Sequence, residues 1–117
     1  MLRAESCPFC RIVHGTSRAD ILLHDERVIA LRDIRPVAPT HILIIPVRHI
    51  ASLHELQPED EGLLDRMFSA AREIAGREGV DSSGYRLVIN TGANAGQSVF
   101  HLHMHLLAGR RMHWPPG

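Results

Sequence analysis

Residues 101–107 read His-Leu-His-Met-His-Leu-Leu, and this alternation constrains the fold more than any other stretch of the chain. Successive side chains of an extended strand point to opposite faces, so His101, His103 and His105 share one face. Leu102, Met104 and Leu106 share the other. The apolar trio needs a layer to bury against, and the imidazoles, about 6.6 Å apart per pair at strand rise, stand in a row on the far side.

The segment from Pro58 to about Glu78 is the best candidate for that layer. Proline suits the first helical position, and Glu59, Asp60 and Glu61 put negative charge at the positive end of the helix dipole. Leu64, Met67, Phe68, Ala71, Ile74 and Ala75 recur at helical spacing as one apolar stripe, and Gly79 is a plausible stop. Ile21–His24 and Val28–Arg32 flank Asp25-Glu26 and read as a hairpin. Residues 33–40 hold two prolines and read as a loop. His41–Pro46 has the β-branched, apolar character of a central strand, with further strands expected at Tyr85–Asn90 and Val99–Ala108. Cys7–His14 has room for a turn or two of helix. With no internal repeat or linker, the reading is a single α+β domain over residues 1–117, an antiparallel sheet with one main amphipathic helix laid on it.

Composition excludes several classes of function. Thirteen basic residues offset thirteen acidic ones, so the chain carries no electrostatic footprint for a nucleic acid duplex or an anionic membrane. No apolar run approaches the length of a transmembrane helix, and the N-terminus lacks the apolar middle of a signal peptide. A cytoplasmic location is the expectation. Any anion must then be caught by local geometry.

Nine histidines against one tryptophan and one tyrosine are unusual, and three of the nine lie in the alternating strand. A row of imidazoles can bind a metal, can place one ring as a nucleophile with neighbours that orient it, or can simply be a polar strand face. Thr91-Gly-Ala-Asn-Ala-Gly-Gln-Ser98 enters the strand as a loop of small residues. Its glycines allow backbone amides to wrap an anion, and Gln97 and Ser98 add neutral donors. The loop favours a phosphoryl pocket over a bare metal site. Cys7-Pro-Phe-Cys10 has metal-ligand spacing with two ligands missing; reduced structural thiols or a redox pair are the other readings.

Here the sequence resembles the histidine triad family, whose signature alternates histidine with apolar residues as His101–Leu107 does. The likeness extends to Asp33-Ile34, Pro39-Thr-His41, Ile45-Pro46, His49-Ile50, Asn90 and Gly96–Ser98. The ending Gly109-Arg-Arg-Met-His-Trp-Pro-Pro-Gly117 is similar to the tail of the nucleotide-binding, purine nucleoside phosphoramidase branch. The resemblance implies a homodimer that hydrolyses purine nucleoside 5′-phosphoramidates or related adenylates to the monophosphate, with no cofactor required for the chemistry. It implies His103 as the nucleophile that forms a covalent nucleotidyl-imidazole, assisted by His105 and Ser98. Asp33 and Ile34 would meet the ribose and base, and Asn90, Gly96, Gln97, Ser98 and His105 the phosphate. His49 and His101 match positions that complete a structural zinc site with Cys7 and Cys10 in some bacterial relatives. Splitting of dinucleoside polyphosphates, nucleotidyl transfer, and a non-enzymatic nucleotide-binding interaction module are the alternatives. His41 is left between a pocket support and a core residue, and Arg110 and Arg111 are read as a solvated turn.

Overall fold

The computed structural model describes residues 6–117. Five strands form one antiparallel sheet: β1 (Ile21–His24), β2 (Val28–Arg32), β3 (Thr40–Pro46), β4 (Tyr85–Val88) and β5 (Met104–Ala108). Their order across the sheet is β1-β2-β3-β5-β4. A short helix, α1 (Pro8–Val13), precedes the sheet in the chain, and the main helix, α2 (Leu63–Arg77), lies between β3 and β4.

Alternation sorts the sheet into two buried faces. Val28 and Ala30 of β2, Ile42 and Ile44 of β3, and Met104 and Leu106 of β5 turn toward Met67, Ala71 and Ile74 of α2. Ile29, Leu31, Leu43 and Ile45 turn the other way and pack against Cys7, Phe9 and Cys10. Both faces of β3 are therefore covered, which is why it reads as an unbroken apolar run. Pairing of Leu43 with His105, and of Ile44 with Met104, fixes the register that keeps the histidine on the α1 side. Among the described residues no helix is long and apolar enough to cross a membrane.

Two boundaries depart from the sequence expectation, each for a physical reason. Pro58–Asp60 is a separate 3₁₀ turn, and α2 starts only at Leu63. The Asp60 carboxylate closes that turn by accepting the Gln57 N–H at 2.9 Å and the Arg48 Nε–H at 3.0 Å. Gly62 then takes φ +82°, a left-handed geometry that breaks the helical run and suits glycine. The buried face of α2 is Leu63, Met67, Ala70, Ala71, Ile74 and Ala75, so Phe68 of the expected stripe lies at its margin and is left 44% exposed. The stop at Gly79 is as expected. Val80 N–H bonds to Ala75 O and Gly79 N–H to Gly76 O, satisfying the last carbonyls.

The last strand is shorter than residues 99–108, since its ladder begins at Met104. Continuing the register would set Pro46 against Leu102, and proline has no N–H to give. Leu102 N–H bonds instead to Ile50 O at 2.6 Å, carrying residues 101–103 off the sheet edge of β3. Strand β4 likewise ends at Val88 instead of Asn90.

Met104 is fully buried between sheet and helix, so Met104→Ala should destabilise the chain by about 2–5 kcal/mol. Phe68→Ala should cost less than about 1 kcal/mol, because much of that ring already meets water. Urea unfolding of the two variants checks the order, and a Phe68 effect as large as that of Met104 would contradict the packing described.

Candidate active site

On the α1 side of the sheet lies a cleft of about 510 Å³. Phe9 and Ile12 of α1 form one wall, Asp33, Ile34 and Val37 of the β2–β3 loop another, and Ser98, His103 and His105 the floor. The three triad rings do share this face, though each meets different partners.

His103 is nearly buried, and its Nδ1 lies 2.7 Å from the His101 carbonyl. A carbonyl can only accept, so Nδ1 carries the proton and donates. In the neutral ring the lone pair is then on Nε2. Phe9 packs edge-on against this ring, with centroids 5.1 Å apart, and covers it on the α1 side.

A second chain of bonds fixes His105. The Val37 N–H donates to His41 Nδ1 at 3.1 Å, which places the His41 proton on Nε2. That Nε2–H lies 2.9 Å from His105 Nδ1 and 3.3 Å from Asp33 Oδ2. With Nδ1 accepting, His105 must carry its own proton on Nε2. The neutral pair is consistent with the environment. Burial pushes the His105 imidazole down to about 4, helped by the neighbouring His103 and His41 and opposed by Asp33. Burial lowers His41 as well, again against the pull of Asp33. Asp33, His41 and His105 are close enough to suggest a metal cluster, but their facing atoms are spent on one another.

The loop before the triad is built differently from the donor cradle expected of it. Gln97 is buried, and its side chain accepts from Gly92 N–H and donates to the carbonyls of Ala51 and Val99. The N–H groups of Gly96 and Gln97 close turns onto Ala93 and Gly92. Gln97 thus scaffolds the loop, while Ser98 is exposed and lines the cleft. Asn90 lies two residues past Val88, the partner of His105 in the ladder, and lines a neighbouring hollow with Arg86, Arg110 and the C-terminal residues. Ile34 stands 83% exposed at the cleft.

Beside the cleft, Cys7, Cys10, His49 and His101 bring one ligand atom each to within 4.8 Å of one another. His101 Nδ1 lies 3.3 Å from Cys7 Sγ and 3.6 Å from Cys10 Sγ, and His49 Nδ1 lies 3.1 Å from Cys10 Sγ. Tetrahedral zinc with sulfur and nitrogen ligands has edges of roughly 3.3–3.8 Å. Both His101 distances lie in that range and the His49 distance falls slightly below it. Two thiols and two imidazoles thus suit zinc in number, kind and approximate spacing. The His101 tautomer fits too. His101 Nε2–H donates to the Pro46 carbonyl at 2.8 Å, leaving Nδ1 unprotonated toward the sulfurs, the outer contact a metal-ligating imidazole ordinarily has.

These features agree with known proteins. A protein-family model described as the C-terminal binding region of the scavenger mRNA decapping enzyme matches residues 6–113. The purine nucleoside phosphoramidase of Escherichia coli is 47% identical over 92% of this chain and 90% of its own length. A crystal structure of a HIT (histidine triad) family hydrolase from Legionella pneumophila superposes with a TM-score of 0.91, at 47% identity, covering 95% of this chain and 99% of that one. The chain belongs to the histidine triad family. It is an enzyme of that family, with the family's sheet and main helix. A zinc-bound histidine triad protein from Mycobacterium smegmatis is 36% identical, with a TM-score of 0.79, covering 92% of this chain and 77% of that chain.

Within this histidine triad site, sequence reasoning left three contributors unresolved or unnamed. His41 could have been placed by parity, because it lies two residues before Leu43 on β3 and so faces the triad side. Phe9 was hidden between two cysteines that drew attention as ligands. Arg110 is more than a solvated turn residue, since its Nε–H donates to the Val37 carbonyl at 3.1 Å and tethers the loop that orients His41.

A depressed His105 pKa has a testable consequence for stability. Between its unfolded value near 6.5 and its folded value of about 4, only the unfolded chain takes up the proton, so stability falls as pH drops through that window. Denaturant unfolding should show a shallower loss over this range in His105→Gln than in the parent chain. Equal slopes would mean that His105 is not held neutral.

Proposed function

We propose that this chain hydrolyses purine nucleoside 5′-phosphoramidates and related adenylates to the nucleoside monophosphate through a covalent nucleotidyl-His103. One observation carries the reading: the His103 Nδ1 proton is committed to the His101 carbonyl, so a neutral ring that lines the cleft has its lone pair on Nε2. The name of the Escherichia coli relative supports the substrate class.

The chemistry follows from these atoms. Nε2 attacks the α-phosphorus, a nitrogen–phosphorus bond forms to the imidazole, and the bond to the leaving amine breaks. The Ser98 hydroxyl and His105 Nε2–H donate to the non-bridging oxygens as charge grows on them, an oxyanion-type role worth more in a dry cleft than in water. Water then attacks phosphorus and the bond to His103 breaks. The leaving nitrogen takes a proton from solvent in the first step, and the attacking water returns one to solvent in the second. One water is therefore consumed overall, its hydroxyl ending on phosphorus and one hydrogen, by way of solvent, on the amine. Asp33 is assigned the ribose hydroxyls and exposed Ile34 the base. We assign Asn90, Gly96 and Gln97 to the phosphate side of the site, Gly96 and Gln97 by holding the shape of its loop. A homodimer is part of the same reading.

Zinc belongs to the reading as a structural ion. Cys7, Cys10, His49 and His101 would hold it with four protein ligands, which leaves no open position for substrate or water. When bound it supplies a cross-link between the N-terminal segment and the triad segment.

Adenosine 5′-phosphoramidate should be turned over without added metal, and His103→Ala should lose this turnover. Ser98→Ala should lower kcat by roughly 100-fold, the usual cost of one such donor, with its effect mainly on kcat. Steady-state kinetics checks both, alongside a dinucleoside tetraphosphate as competitor. Turnover surviving in His103→Ala would remove the assigned nucleophile, and a strong preference for the tetraphosphate would overturn the substrate class.

A further inference from the structure

Residues 99–103 present a mechanical problem. The proposed nucleophile hangs from the His101 carbonyl, yet neither His101 nor His103 lies in the sheet ladder, which begins at Met104. A backbone acceptor outside a ladder is free to shift, and a shift of about 1 Å in a catalytic group is costly. Something else must hold it.

We propose that Cys7, Cys10 and His49, when they carry a metal, act as positioning residues for His103, working through His101 and Phe9. The inference rests on the reading of His103 as nucleophile. Two separate contacts carry it. The first runs through one residue. The His101 side chain is completely buried and belongs to the four-ligand cluster, while its own main-chain carbonyl accepts the His103 Nδ1 proton. Fixing the side chain at Nδ1 by the metal and at Nε2 by the Pro46 carbonyl leaves that peptide little room to rotate. The Leu102 N–H, bonded to Ile50 O next to His49, ties the same peptide segment to the loop after β3 that carries the other imidazole.

The second contact runs through Phe9, which sits between the two cysteine ligands. Its ring meets His101 edge-on at 5.8 Å and His103 edge-on at 5.1 Å between centroids. Cys7 also opens α1 by accepting the Cys10 N–H at its sulfur, so a metal held by both sulfurs sets the turn that carries Phe9. One ion would therefore restrain the hydrogen bond that holds the His103 proton and the ring that packs beside it. An anchor that merely pinned the N-terminus would need neither contact.

The test uses the full chain with ¹⁵N-labelled histidine, zinc-loaded and then chelator-stripped, with metal content followed by elemental analysis. Long-range proton–nitrogen spectra read the His103 tautomer with no need for turnover. The loaded protein should show one His103 form, protonated at Nδ1. The stripped protein, still folded by circular dichroism, should show mixed tautomers and a kcat lowered about tenfold or more, with KM held within about twofold. Should stripping unfold the chain, His49→Gln keeps three ligands and should move both readouts the same way, while His49→Cys restores a fourth ligand and should return them. An unchanged His103 tautomer in stripped, folded protein overturns the proposal, as does failure of the chain to take up zinc. A tautomer that responds while kcat does not would instead count against His103 as the nucleophile, so the two failures are separable.

Discussion

The hydrogen bond from His103 Nδ1 to the His101 carbonyl, 2.7 Å long, is the contact on which the rest of the site depends. Imidazole has two nitrogens of similar basicity, and only a fixed acceptor decides which keeps its lone pair. Here the acceptor is a main-chain oxygen two residues away, supplied by the same alternating segment that provides the ring. The alternation which buries Leu102 and Met104 against the helix thus also orients the proposed nucleophile. Fold and chemistry share one stretch of chain.

Around that bond the structure repeats a single device. A main-chain group that can only accept or only donate sets the proton of a nearby histidine: Pro46 O for His101, His101 O for His103, Val37 N–H for His41, and through His41 for His105. Burial reinforces the neutral forms by making charged imidazole costly, most clearly at His101 and His105. Arg110 contributes at a distance by holding the Val37 carbonyl. A chain with no net charge can then organise an anionic substrate through oriented dipoles and neutral donors.

Much of this was legible in the sequence because period-two alternation and apolar runs report directly on burial. The five strands, the main helix, its glycine stop and the clustering of Cys7, Cys10, His49 and His101 could all be anticipated, the last from family resemblance and not from spacing. What the sequence hid were competitions between local and tertiary forces. Pro58 and three acidic residues look like a helix start, but Asp60 is drawn off to Arg48 and Gly62 breaks the run. Val99–His103 looks like strand, but the missing N–H of Pro46 ends the ladder early. Gln97 looks like a phosphate donor, yet its amide is spent inside the loop. His41 needed a partner 64 residues away before its role could be read.

The central claim is that His103 itself takes the nucleotide. Rapid-quench mixing of the chain with an adenylate substrate, followed by intact mass measurement and peptide mapping, tests it most directly. The account predicts a transient species heavier by one nucleotidyl group, with the added mass on His103. A modified residue elsewhere, or a burst of amine release with no covalent species at any time, would contradict it.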